Sequence, residues 1–191
     1  MAIDCTAAYR WRRLPLVAVL AVLVALLAPG GSATAQGGVC PTSSTGGSSL
    51  SRVSATDRAT IVQLHNQYRD EVGVPRIAWD GSLADAAQSW TDVIAPLGEL
   101  CHDPDPGDQG ENLADAPSFA GGVMAWYSEK GDYDRNPGPV SPQTASHYTQ
   151  MVWSSTQRVG CGQAASTRFS GNIVLTCRYS PPGNLIGEAP Y

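Results

Sequence analysis

Apolar residues recur along this chain in four blocks separated by Gly- and Pro-rich punctuation. Ile61, Leu64, Tyr68 and Val72 repeat at helical spacing, which predicts an amphipathic helix opened by a Ser54 cap and stopped by Gly73 and Pro75. His65, Asn66 and Arg69 ride on it. After Ile77-Ala78-Trp79, Asp80 or Ser82 can cap a second helix whose Leu83, Ala87, Trp90 and Ile94 line one face as far as Pro96. Ser118 opens a third amphipathic stretch through Val123, Trp126 and Tyr127 to Glu129. In the fourth block His147 and Met151 stand four apart and share a helical face beside Val152 and Trp153, so a histidine is placed where a helix meets a core. Ser154, Ser155 and Thr156 break that pattern.

Alternation takes over beyond the break. Val159 to Ala165 reads as one strand, and Ile173, Leu175, Cys177 and Tyr179 alternate with Val174, Thr176 and Arg178 as a second. A turn through Gly171 pairs the two antiparallel, which sets Cys161 and Cys177 on adjacent strands and predicts a disulfide between them. Closing that loop of seventeen residues contributes roughly 3 kcal/mol in the chain-entropy model.

The intervening stretches are polar. Residues 131 to 143 and the segment Cys101 to Leu113 are expected as loops; the latter holds four acidic side chains, with His102 and Glu111 at its two ends. Asp103, Asp105 and Asp108 miss the ligand spacing of a helix-loop-helix calcium site, and a solvated loop is the expected outcome. Residues 36–52 mix Gly, Ser and Thr with little apolar content and are expected to be a flexible tether to a domain spanning 53–191. The final Pro181 to Tyr191 is too rich in Pro and Gly for regular structure and reads as an extended strap.

At the other end, Arg10, Arg12 and Arg13 precede an apolar run from Leu14 to Leu27 and the small residues Ala33-Thr34-Ala35, the three regions of a secretory signal peptide over residues 1–35. The run is shorter than the ~20 residues of a spanning helix, and an uncleaved anchor is the alternative. Removal leaves nine basic against sixteen acidic side chains, a net charge of -7, which argues against nucleic acid or an anionic membrane as partner. Four cysteines remain, Cys40, Cys101, Cys161 and Cys177; they allow three connectivities and show no C-x-x-C spacing of a zinc cluster. Among the ionisable residues, His65 is expected to be a core histidine bonded to backbone or a neighbour, and Glu129, one turn after Trp126, to be a surface carboxylate whose pKa would rise on burial.

Several short motifs stand together in one order: His65-Asn66-Gln67-Tyr68-Arg69, Gly110-Glu111-Asn112-Leu113, Trp126 with Glu129, His147 to Trp153, Gly160-Cys161-Gly162, and Cys177-Arg178-Tyr179-Ser180-Pro181-Pro182-Gly183-Asn184. In this the chain resembles the CAP superfamily of cysteine-rich secretory proteins, insect venom antigen 5 allergens and plant pathogenesis-related group one proteins, over about residues 55 to 191. The resemblance implies an α+β fold, a three-layer α-β-α sandwich around a small antiparallel sheet. It also implies a cleft lined by His102, Glu111, Glu129 and His147, in which His102 and His147 hold zinc or another divalent cation while the carboxylates order water. A secreted, extracellular monomer without stable membrane insertion follows from the same likeness, with a sterol or fatty acid as its apolar partner. Two further readings stand beside it. One is a metal-dependent hydrolase or protease, against which no H-E-x-x-H or G-x-S-x-G motif appears. The other is an effector or peptide precursor acting through Pro181 to Tyr191, although Arg178 replaces the asparagine that precedes the tyrosine in plant relatives. Relatives carry a cysteine in the 163 to 171 turn that pairs with the counterpart of Cys101; this chain lacks it, and Cys101 is expected to pair with Cys40.

Overall fold

Most of the helices begin where a short polar side chain caps them. In a computed structural model, which describes residues 39–44, 47 and 49–191, Ser54 accepts a hydrogen bond from the Asp57 N–H and opens α1 (Ala55–Glu71). Asp80 does the same for α2 (Gly81–Ile94), and Ser118 for α3 (Phe119–Ser128). Two short helices follow, α4 (Lys130–Arg135) and α5 (His147–Met151). The first of these lies in a stretch expected to be loop; its apolar Tyr133 is buried and holds it on the core. The signal peptide reading of residues 1–35 falls outside the described residues.

The sheet has the order β1-β3-β4-β2. Strands β3 (Arg158–Ala165) and β4 (Ile173–Ser180) pair antiparallel with Cys161 directly opposite Cys177, and these two cysteines are joined. Two departures from the expected sheet appear. Gly110–Ala116, read as the end of a loop, is strand β2 and lies antiparallel along β4. The two residues Ala78–Trp79 form β1, parallel to β3, so one edge is not antiparallel.

Alternation along the strands divides the core between two faces. Leu175, Cys177 and Tyr179 point toward α1, α3 and α5, where Ile61, Val123, Trp126 and Met151 complete the larger core. Val174 and Leu113 point the other way, against Trp90 and Ile94 of α2. The result is the three-layer α-β-α sandwich. Helix α2 sits close on its face because β3 offers glycines there: a Cβ on Gly160 would lie 2.2 Å from the Ala84 nitrogen, and one on Gly162 would lie 2.3 Å from the Gln88 Cα.

Residues on either side of these layers tie the chain ends down. Cys40 is bonded to Cys101. Ser49 and Ser51 donate backbone hydrogen bonds to Ser89 and Asp85 of α2, so the described end of the expected tether is docked rather than loose. At the C-terminus Val140 exchanges backbone hydrogen bonds with Gly187 and Glu188, Ser154 N–H donates to Pro190, and the Tyr191 hydroxyl meets that of Tyr148. The tail is thus the strap its composition predicts. No helix among the described residues is long and apolar enough to cross a membrane.

Candidate functional site: a cleft with two imidazole–carboxylate pairs

His147 is the first residue of α5, and its position is set by local sequence. Ser146 caps the helix through a reciprocal pair with Thr149, and Asn184 of the tail bonds both, accepting from Thr149 Oγ1 at 2.6 Å and donating to the Ser146 carbonyl at 3.0 Å. The His147 Nδ1–H donates to Glu129 Oε1 at 2.6 Å, while Glu129 Oε2 accepts the Tyr148 N–H at 3.2 Å. Trp126 stacks behind the imidazole, with ring centroids 6.1 Å apart and planes at 21°. Its own indole N–H is taken by the Leu113 carbonyl at 2.9 Å, which locks the wall in place.

Glu129 was expected at the surface, with burial raising its pKa. It is half-buried, and burial does push its pKa up, but the hydrogen bond and charge of His147 and the backbone N–H groups of Tyr148 and His147 outweigh that effect and hold the carboxyl below its ordinary value.

The second pair comes from the far edge of the sheet. His102 follows the disulfide-bonded Cys101, and its Nδ1–H donates to Glu111 Oε1 at 2.7 Å. The same oxygen accepts the Asp103 N–H at 3.0 Å. Glu111 lies on β2 directly opposite Arg178 of β4, whose Nη2 reaches Glu111 Oε2 at 3.1 Å and Asp103 Oδ2 at 2.5 Å. The neighbouring Asn112 links the two halves, donating to the His147 carbonyl at 3.1 Å and to the Tyr179 hydroxyl at 3.2 Å.

His102, Glu111 and His147, with Asn112, Ser146 and Asn184, line one cleft of about 290 Å³. Glu129 opens onto an adjoining pocket of about 350 Å³ that shares His147 and Ser146. All four residues named from the sequence therefore belong to one region, although they meet as two pairs. Each carboxylate occupies an imidazole Nδ1, which fixes the tautomer and leaves Nε2 with its lone pair free to accept or ligate. A carboxylate behind a histidine is the arrangement that orients metal-binding imidazoles. Among the described residues no group of three His, Cys, Asp or Glu side chains converges as a metal cage. Two imidazole nitrogens are fewer donors than the four of a closed structural zinc site.

His65 stands apart from the cleft. It is fully buried, bonded through Nδ1 to the Ile61 carbonyl at 2.8 Å and through Nε2 to the Tyr179 hydroxyl at 2.9 Å, and burial pushes its pKa down to about 4. Asp103, expected in a solvated loop, is paired instead. It pairs with Arg178 and Ser44, and those bonds, with the Asp105 N–H, override the upward push of burial and hold its pKa low. Arg178, Asn112 and Asn184 are the site residues that sequence reasoning missed. Arg178 was visible as a departure from the plant relatives and as a charged residue inside a strand pattern, where a buried partner is required.

A family model described as "Cysteine-rich secretory protein family", CAP, matches residues 62–179. The chain belongs to this family. Pathogenesis-related protein 1B of Nicotiana tabacum is 39% identical to it over 132 residues, covering 66% of this chain and 76% of that protein. The Secreted protein RBT4 of Candida albicans is 34% identical over 150 residues, covering 78% of this chain and 41% of that protein. Among solved structures, the venom allergen-like protein 4 of Schistosoma mansoni aligns with a TM-score of 0.56 at 25% identity, covering 72% of this chain and 95% of that one.

Proposed function

We propose that this CAP domain is exported and works as a binding module whose cleft takes a divalent metal ion, zinc by preference, through His102 and His147. The observation that supports this reading is the matched pair of imidazole–carboxylate hydrogen bonds, each of which leaves an Nε2 lone pair free. Borderline-soft zinc suits neutral imidazole nitrogens. Glu111 and Glu129 fix the orientation of the rings they hold and, with Asn112 and Asn184, order water in the cleft. When bound, the ion supplies positive charge to an acidic surface and a Lewis-acidic position for an oxygen ligand. Hydrolysis is not proposed: two nitrogen ligands are one fewer than catalytic zinc ordinarily has, and no nucleophile is partnered to a base in the cleft.

Binding of a sterol or fatty acid is a separate proposal, resting on the resemblance that named it. The apolar residues between the helices, Val123, Trp126, Met151 and Val152, are packed as core. A lipid would instead be sought along the exposed Met124, Leu185 and Ile186. Calorimetric titration of the metal-freed, oxidised protein with zinc tests the first reading. One equivalent is expected to bind, with affinity lost in His102→Ala and in His147→Ala; equal binding by wild type and both variants would overturn it. A parallel titration with cholesterol, with and without chelator, tests the second.

A further inference from the structure

Helix α5 is five residues long, well short of the ~12–15 that a helix needs to stand unaided, so the position of His147 is set by what holds α5 from outside. Arg69 grips its far end at the Met151 carbonyl. The strap holds the rest. The Pro181 carbonyl takes the Thr156 hydroxyl at 2.9 Å, the Gly183 N–H donates to Gln150 Oε1 at 2.9 Å, the Pro190 carbonyl takes the Ser154 N–H at 2.7 Å, and the Tyr191 hydroxyl meets that of Tyr148 at 3.1 Å. Among these strap residues only Asn184 reaches the capping box in front of His147.

The Asn184 amide uses both of its ends there. It donates to the Ser146 carbonyl and accepts the Thr149 hydroxyl, which has a single proton to give; that proton once given, the Thr149 oxygen turns its lone pairs to the Ser146 N–H, 2.9 Å away. Without Asn184 the hydroxyl still has the Ser146 carbonyl at 3.0 Å, so the box survives but the strap no longer fixes it. The backbone adds a second sign. Asn184 has φ 57°, the left-handed region where glycine is the default, and the two side-chain bonds offset the cost of a larger residue there. Ser146 directly precedes His147, whose Nδ1–H must meet Glu129 Oε1 while the next N–H, that of Tyr148, meets Glu129 Oε2, so a shift of the box is felt at the imidazole. We propose that Asn184 is a positioning residue of the cleft: by clasping Ser146 and Thr149 it couples docking of the Pro181 to Tyr191 strap to the orientation of the His147 ring, and the strap thereby regulates what the cleft holds. The consequence for zinc rests on the metal reading above; the setting of the ring does not. Such coupling is reciprocal, so an ion on His147 also tightens the strap.

Asn184→Gly tests this cleanly, because glycine adopts the left-handed backbone freely and the other strap bonds remain to hold the tail. In nitrogen-15 NMR of the metal-free, oxidised protein, the variant is expected to replace the single Nδ1–H tautomer of His147 by an averaged ring signal, while His102, on the other side of the cleft, keeps its own. Zinc affinity measured by calorimetry is expected to fall about fivefold, the weight of one neutral hydrogen bond. In the wild-type protein zinc should slow hydrogen exchange of the Gly183 amide by a similar factor. A His147 ring signal unchanged by Asn184→Gly, or an equal change in both rings, would overturn the inference. Equal zinc affinity in the two proteins would overturn the coupling of strap to metal. A wild-type protein that takes up no zinc would instead remove the metal reading, and the ring signal of His147 would still decide the role of Asn184.

Discussion

Arg69 is the residue whose removal should damage this fold most for a reason that can be worked through. It sits on the core face of α1 with no exposure, and its guanidinium donates to four carbonyls: Pro75 at 2.7 Å, and Met151, Trp153 and Thr156 at 2.9 Å each. The last three lie at the end of α5 and just beyond it, so one side chain fastens the segment that carries His147 to the first helix. Replacing it by Met keeps the aliphatic bulk and leaves three of those carbonyls without a donor, since Trp153 retains the Thr156 N–H. At about 2 kcal/mol per stranded buried group the loss is about 6 kcal/mol. Against it stands relief: burial lowers the Arg69 pKa from 12.5 to about 10, so the charged form is held at a cost of about 3 kcal/mol that Met does not bear. The net is about 3 kcal/mol, a large part of a typical domain's stability. Urea unfolding of the oxidised protein, followed by tryptophan fluorescence, should show a midpoint lowered by about 1.5 M at an ordinary slope of about 2 kcal/mol per M. Arg69→Lys should recover little of it, because a single ammonium cannot reach acceptors spread around the edge of the guanidinium plane. A midpoint shift below about 0.3 M for Arg69→Met would refute the reasoning.

Other consequences are as direct. Gly162→Ala forces a Cβ onto α2 backbone and should destabilise by about 3 kcal/mol or more, read by the same unfolding curve, whereas Gly47→Ala meets nothing and should be neutral. His65 is neutral in the fold with its pKa near 4, so above pH 6.5 it contributes no pH dependence; as pH falls from 6.5 through 4 the unfolded chain gains a proton that the native one refuses, and stability drops by up to about 3 kcal/mol. His65→Gln should flatten that window in unfolding curves taken at stepped pH. Glu129 acts lower: its depressed pKa adds stability that is present above about pH 4.5 and lost as pH falls through the folded value, so Glu129→Gln should remove dependence only in that acid range. The same variant should weaken zinc binding about tenfold or more by freeing the His147 ring, the size of effect that outer partners of metal ligands have.

Local rules made the helices and the central hairpin readable. The caps at Ser54 and Ser118 and the apolar repeat of α1 to α3 require only neighbours in sequence, and the Cys161–Cys177 pair followed from strand alternation and one turn. What failed depended on distant partners. Strand β2 carries Ala, Asp and Asn where strands favour branched residues, and it is a strand because β4 offers it an unpaired edge. Glu129 looks like a surface residue until α5 arrives 18 residues later to supply His147. Asp103 looks solvated until Arg178 reaches it from 75 residues away. The identities of the cleft residues came through resemblance to the family; their division into two pairs, each with Nδ1 occupied, came only from the fold.

That division is the centre of the account, and nitrogen-15 NMR of the histidine rings measures it. In the metal-free protein His102 and His147 should both appear as Nδ1–H tautomers. One equivalent of zinc should shift Nε2 of both rings, leaving their Nδ1 signals protonated and the His65 ring unchanged. Zinc-induced shifts at Nδ1 of either cleft histidine, at His65, or at no histidine at all would contradict it.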